Sequence, residues 1–467
     1  KDMVRISYAV VLLGLLLAGC STNQKVEQKT GKLKVSENGR FLVTESGEPF
    51  FWLGDTGWLL FGKLNREEAD KYLEDRSQKG FNVIQAMVLH SVSAANFYGD
   101  SALVNKDVAK PRITEGKDPK DSVQYDFWDH VDYIVDKAAE KGLYMALVPV
   151  WGTNVKEGMV TQKQAAVYAK FLADRYKDRS NIIWLNGGDI KGSDSIEVWK
   201  TIGSVIRKND PNHLITFHPR GRTTSSEWFH NEEWLDFNMF QSGHRRYDQD
   251  TSAKEKRHYG EDNWKFIEED FALKPAKPSI DGEPSYEGIP QGLHDTLQPR
   301  WTANDVRRYA YWSVFAGGFG YTYGHNAVMQ MHNPKDKTSA YGSHENWYDA
   351  VNDPGAKQMI YVKALMLSRP LAERVADQFM IADQGEKYNY LIATRGKQYA
   401  FVYTYTGRNI KINMGKIEGD KVKASWYNPR NGKSTEIGEF DNKGTLDFDP
   451  PGEPKDGNDW VLVLDAI

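Results

Sequence analysis

Two acidic residues, Asp189 and Glu283, have the setting that acetal cleavage requires. Asp189 closes the run Asn181-Ile182-Ile183-Trp184-Leu185-Asn186-Gly187-Gly188-Asp189, and Glu283 closes Ile280-Asp281-Gly282-Glu283. Each follows an apolar stretch through glycine, so small neighbours leave room for a ligand beside the carboxyl. One carboxyl of such a pair can protonate a departing glycosidic oxygen while the other attacks or steadies the oxocarbenium-like carbon. Taken singly, either acid is better read as a helix cap or a surface charge. Their shared placement after apolar strands favours chemistry.

Other polar and aromatic residues end neighbouring apolar runs in the same way. They are Asp55 and Trp58, Gln85 and His90, Trp151, Asn186, His218, Gln241 and His244, Tyr286, and Tyr323 with His325. Carboxylates, carboxamides, imidazoles and indoles gathered on one rim suit a polyhydroxylated substrate. Asp55 could equally cap the helix after it, and Trp151 could be core or stacking platform. His218 and His244 invite a metal reading, but no dense ligand spacing such as His-x-Glu-x-x-His accompanies them, so neither metal nor cofactor is expected. The glycine-rich Ala316-Gly317-Gly318-Phe319-Gly320 follows a helical pattern and precedes a strand, the wrong order for a phosphate loop.

The elements that must position these residues alternate in period. Apolar strand-like runs over 50–54, 81–89, 143–151, 182–186, 214–218, 235–241, 277–282 and 318–323 are interleaved with helical patterns over 66–79, 127–141, 161–176, 195–208 and 302–315. Eight strands separated by helices predict a (β/α)8 TIM barrel, an α/β fold whose sites lie at the C-terminal ends of the strands. Gly80 and Gly142 fall where helix C-caps are needed. Two polar insertions, 90–125 and 325–354, are expected to close the site from above. Before the barrel, Leu33-Lys34-Val35 and Phe41-Leu42-Val43 flank an Asn38-Gly39 turn and read as a hairpin. After Pro370 short strands at 389–394, 399–405, 409–413, 421–427, 444–448 and 460–464, punctuated by Gly, Asn and Pro, predict a β-sandwich. The expected division is 1–20 leader, 21–31 tether, 32–372 barrel and 373–467 sandwich.

The N-terminus has its own chemistry. Arg5, the apolar run 10–17 and Leu17-Ala18-Gly19-Cys20 form a secretory leader too short to span a bilayer, ending in a motif that resembles the bacterial lipobox. Cys20 is therefore the expected lipid acceptor and the membrane contact. It is the only cysteine, so an exported protein here is held by its core without a disulfide. Ser21-Thr22-Asn23-Gln24 carries no acid, which favours an outer-membrane lipoprotein facing the periplasm or the cell surface. The charge of −4, from 60 Lys and Arg against 64 Asp and Glu, is mixed along the 467 residues and forms no basic stripe, so no nucleic-acid partner is expected. A monomer is expected.

The segments 51–58 (Phe-Trp-Leu-Gly-Asp-Thr-Gly-Trp), 80–85 (Gly-Phe-Asn-Val-Ile-Gln), 181–189 and 281–287 (Asp-Gly-Glu-Pro-Ser-Tyr-Glu) together resemble the apiosidase-like glycoside hydrolases of family 140. The resemblance runs from about residue 32 to the C-terminus, and its last part resembles a module named for collagen binding. It implies release of the branched pentose apiose from side chains of the pectin rhamnogalacturonan II. It also implies an acid/base Asp on the fourth strand, here Asp189, and a nucleophilic Glu on the seventh, here Glu283. Related barrel glycosidases carry Asn-Glu on strand four; here Asn186 is followed by Gly-Gly-Asp, a shorter and displaced acid.

The resulting expectation is an exo-acting, retaining glycosidase with its carboxyls ~5–5.5 Å apart. Asp55, Trp58, Gln241 and His244 would hold the sugar, and Tyr323 or His244 would keep Glu283 ionised. The alternatives are a non-catalytic carbohydrate-binding lipoprotein, which has no use for two facing carboxyls, a glycosidase of the same fold acting on another pentose or deoxysugar, and an adhesin working through the sandwich.

Overall fold

The computed structural model describes residues 30–467. The leader, Cys20 and all but the end of the 21–31 tether lie outside the described residues.

Eight parallel strands form the barrel: β1 (Trp52–Thr56), β2 (Val83–Leu89), β3 (Tyr144–Val150), β4 (Ile182–Ile190), β5 (Leu214–Pro219), β6 (Asn238–Gln241), β7 (Ser279–Asp281) and β8 (Gly320–Tyr323). Six of them pair continuously in the order β8-β1-β2-β3-β4-β5, and β6 pairs in parallel with β7. Two narrow seams close the ring. At β5/β6 the Asp236 amide donates to Ile215 O (2.9 Å) and Thr216 Oγ1 to Phe237 O (2.6 Å); at β7/β8 the Phe319 amide donates to Ser279 O (3.2 Å). Every residue of β3 is buried, as expected where helices cover the outside and side chains fill the inside.

The predicted helices form between the strands with the expected punctuation. α1 (Arg66–Gln78), α2 (Phe127–Glu140) and α3 (Gln162–Tyr176) each begin in a capping box, built on Asn65/Glu68, Asp126/Asp129 and Thr161/Gln164. Gly80 and Gly142 take φ of +85° and +73° where two of these helices end. α4 (Ile196–Asn209), α5 (Trp264–Ala272), α6 (Ala303–Phe315) and α7 (Pro354–Leu367) complete the layer. The N-terminal hairpin of Leu33–Val35 and Leu42–Thr44 covers the N-terminal ends of the strands, where Phe50 packs edge-on against Tyr144 at 5.3 Å. Among the described residues no helix is long and apolar enough to cross a membrane.

The C-terminal domain is an antiparallel β-sandwich of a six-stranded and a two-stranded sheet. Its six predicted strands are all present. Two more, Val375–Ala376 and Ser434–Asp441, escape the sequence pattern because both are edge strands with little buried surface. The sandwich leans on α6, buried from Val306 to Phe315. Tyr311 stacks on Tyr403 (4.7 Å between centroids), and Arg307 makes two 2.8 Å bonds to Asp459 with both side chains buried.

Candidate active site

The C-terminal ends of the strands surround a cavity of about 400 Å³. Asp189 and Glu283 both line it, with Trp58, Trp151, Gln241, His244 and Tyr286 among the other expected residues.

Asp189 owes its position to a break in the β4 ladder. Gly187 pairs with His218, but the next pair is Ile190 with Pro219, so Gly188 and Asp189 bulge out of the strand. The bulge needs glycine: Gly187 and Gly188 sit at φ +91° and +106°, and a Cβ at Gly188 would lie 2.5 Å from the Trp151 ring. Asp189 itself is held at φ +46°, a region that non-glycine residues seldom occupy. Asn186 ties the bulge down, donating through Nδ2 to Trp199 O (2.8 Å) and accepting the Gly187 amide at Oδ1 (3.1 Å).

Glu283 follows β7 and is buried between two imidazoles. His244 Nε2 lies 3.2 Å from Oε1 and His218 Nε2 3.1 Å from Oε2, the second contact being poorly aligned. The tautomer of His218 follows from its other nitrogen. Nδ1 accepts the backbone N–H of Asp189 at 3.3 Å, so the proton resides on Nε2 and points towards Glu283. His218 thus joins the backbone of one acid to the carboxylate of the other. Its ring is fixed by Trp58, edge-on at 5.3 Å, and Trp151 at 6.0 Å. His244 is fixed through its carbonyl, which accepts from the Gly292 amide (2.7 Å) and Trp301 Nε1 (3.3 Å).

These surroundings push the two carboxyls apart in acidity. Asp189 faces the open cavity and solvent reaches it there, yet the protein atoms packed around it make desolvation the leading cause that raises it to about 7, followed by the charge of Glu283. Burial pushes Glu283 up as well, but the N–H groups of His218 and His244 directed at its two oxygens outweigh it and hold Glu283 below its ordinary value. One protonated and one ionised carboxyl beside a single cavity is the state needed by an acid and a nucleophile. Gln241 Oε1, His244 Nδ1 and Tyr286 OH are buried without a hydrogen-bond partner in the protein, and Glu283 Oε2 has only its poorly aligned His218 contact, as suits groups that meet a hydroxylated ligand.

Other expected site residues are placed elsewhere. Asp55 is fully buried between barrel and α1, accepting from Tyr72 OH (2.7 Å) and Arg76 Nη1 (3.3 Å), and neither caps a helix nor reaches the cavity. Gln85 is also fully buried and donates to Gly282 O (3.0 Å), so it braces the turn before Glu283. Tyr323 donates to Glu287 (2.6 Å) and not to Glu283, and His90 is exposed outside the cavity lining. His218 and Asn186 are likewise absent from the lining and act on the two acids from behind.

The sequence reading missed several lining residues. Arg220 and Arg222 lie beyond β5, two and four residues past His218, and Arg245 directly follows His244, each outside the strand-end residue that its run singles out. Glu255 and His294 lie in loops with no periodic signal, and Tyr341 comes from the 325–354 insertion. Tyr341 lines the same cavity as Asp189 and Glu283, and burial together with their negative charges raises its phenol. Only one of the two insertions expected to close the site does so. None of the lining comes from 90–125, and segments 243–255 and 289–294 take its place.

One group of metal-ligating types occurs among the described residues: His325, Glu345 and Asp353. His325 Nδ1 accepts the Ala327 amide (3.0 Å), so Nε2 carries the proton and donates to Asp353 (3.0 Å), which removes the imidazole as a ligand.

A (β/α)8 barrel that sets a protonated and an ionised carboxyl on one cavity at its mouth has the arrangement of a glycoside hydrolase. Residues 36–373 match the family model described as "Apiosidase-like, catalytic domain", and residues 375–465 match "Putative collagen-binding domain of a collagenase". The chain belongs to the apiosidase-like family. A solved structure titled "Glycoside hydrolase" is 51% identical with a TM-score of 0.88, covering 93% of this chain and 97% of that one. A structure described as a glycoside hydrolase family 5 protein from Bacteroides vulgatus ATCC 8482 is 49% identical with a TM-score of 0.88, covering 93% and 94%. A search of curated proteins gave no match.

Proposed function

We propose that this glycosidase releases a terminal apiose from pectic side chains by a retaining double displacement. Glu283 attacks the anomeric carbon while Asp189 gives its proton to the leaving oxygen; Asp189, now ionised, then activates the water that frees the sugar. The observation that carries this reading is the placement of Asp189 and Glu283 on one cavity, with two imidazoles set against the Glu283 carboxyl alone. A non-catalytic binder gains nothing from it.

The family supports the sugar. The cavity wall supports an acidic polymer: Arg220 and Arg245 share the single carboxylate of Glu255, at 3.2 and 4.0 Å, which leaves net positive charge facing the ligand. About 400 Å³ suits one or two sugar rings, favouring a chain end or branch over a long linear stretch. Cys20 is proposed as the lipid acceptor that holds the enzyme at the outer membrane. Chromatographic identification of the sugar freed from rhamnogalacturonan II oligosaccharides tests the substrate. Apiose alone is the expected product; internal cuts in linear polysaccharides, with no apiose released, would overturn it.

A further inference from the structure

The sandwich touches the 243–262 segment, which brings Arg245 and Glu255 to the cavity wall. Tyr388 of the sandwich donates to Glu261 Oε1 at 2.8 Å. The other oxygen of Glu261 lies 2.6 Å from Arg308 of α6, with both side chains fully buried. The Arg308 guanidinium sits 4.7 Å from the Tyr388 ring and 5.0 Å from Tyr405, both from the sandwich. Within the loop, Tyr247 packs against the Tyr388 ring at 5.8 Å, with Lys387 5.6 Å above it.

From Glu261 the connection runs inward through backbone. Gly260 O accepts from Arg222 Nη1 (3.4 Å), and the Gly260 amide donates to Asp250 (2.7 Å). Arg222 also reaches Arg245 O (3.4 Å) and pairs with Asp250 (3.3 Å). Arg222, Arg245 and Glu255 all line the cavity. Two bonded steps therefore separate a sandwich tyrosine from the basic wall of the site. The loop has no helix or strand of its own beyond one 3-10 turn, Tyr247–Gln249, so side-chain contacts set its shape, those to the sandwich together with barrel contacts such as Arg246 to Gln291 (3.0 Å) and Arg257 to Glu269 (2.6 Å).

We propose that the C-terminal sandwich is a clamp on the 243–262 loop, with Tyr388 as the positioning residue that holds the Arg245/Glu255 wall in its substrate-binding conformation. That the wall binds substrate rests on the proposed glycosidase reading, whereas the clamp itself does not. Hydrogen–deuterium exchange on the full chain tests the clamp without any substrate. Tyr388→Ala is expected to speed exchange in 243–262 by about tenfold while leaving 325–354 unchanged. Tyr388→Phe, which keeps the ring and loses the hydroxyl, should fall between. Arg369→Gln breaks a second barrel–sandwich contact, the 2.7 Å pairing with Asp465 remote from this loop, and should leave 243–262 protected. Unchanged exchange in Tyr388→Ala, or equal loosening in Arg369→Gln, overturns the clamp. On rhamnogalacturonan II oligosaccharides Tyr388→Ala should raise KM with kcat nearly unchanged. Loosened exchange with unaltered KM would sink the wall's role and spare the clamp.

Discussion

At the scale of single residues, the acidity of Asp189 sets the pH behaviour. Its pKa of about 7 predicts kcat/KM that falls above about pH 7 as the acid loses its proton, and the limb should vanish in Asp189→Asn with a substrate that needs no acid. The low-pH limb belongs to Glu283, lowered by its two imidazoles, and should lie below the ordinary carboxylate range. Stability carries the same signature with a definite sign. A carboxyl raised in the folded state binds its proton more tightly there than in the unfolded chain. Stability is then lost as pH rises from the ordinary carboxylate range to about 7. Asp189→Asn should therefore be more stabilising at pH 8 than at pH 4 in paired urea titrations; a pH-independent effect would contradict the raised value. Asp55 gives the opposite kind of test. As the buried partner of Arg76, its loss in Asp55→Ala should cost roughly 3–5 kcal/mol while KM stays put; a raised KM with little loss of stability would restore it as a sugar ligand.

At the scale of elements, the β4 bulge decides where the acid points. Gly188→Ala combines a forbidden φ with a Cβ against Trp151, so kcat should fall by about 100-fold alongside a loss of roughly 1–3 kcal/mol. Steady-state kinetics and thermal melts of the variant check both; unchanged kcat would mean that the bulge does not aim Asp189. Such elements were legible to different depths. Alternating period exposed the eight strands and five helices, and position after a strand exposed Asp189, Glu283 and His244. The inward or sideways direction of a side chain was not legible. Asp55 lies next to the last residue of β1 and Gln85 within β2, not beyond a strand as Glu283 does, and the pleat turns Asp55 towards Arg76 and Gln85 towards Gly282 O. Glu255 and His294 had no signal, because irregular loops carry no period. Ser434–Asp441 had none because an edge strand need not alternate.

At the scale of the whole molecule, barrel and sandwich share a core. A stop codon near residue 373 strips the cover from Tyr311 and Phe315 and leaves Arg307 buried without Asp459, a loss of roughly 3–5 kcal/mol from the ion pair alone. The truncated chain should melt far below the full one. A truncation that folds well and binds substrate but turns nothing over would place chemistry in the sandwich after all. The division into barrel and sandwich was visible in the change from helix-strand alternation to short strands after Pro370. The clamp on the 243–262 loop was not, since Tyr388 and Glu261 lie 127 residues apart and meet only through the fold. At the other end of the chain, Cys20→Ser should move the protein from the membrane to the soluble fraction; unchanged membrane partitioning would remove Cys20 as the anchor.

The central claim is that Glu283 forms a bond to the sugar and Asp189 moves the proton. Intact-mass and peptide mass spectrometry of Asp189→Asn, quenched within its first turnovers on an aryl apioside, test it directly. An activated leaving group departs without acid help, but the second step lacks its base, so a glycosyl-enzyme should accumulate. A pentosyl adduct on the peptide that carries Glu283, released slowly, is the expected result. An adduct on another residue, or steady turnover with no adduct and an inverted first product, would contradict it.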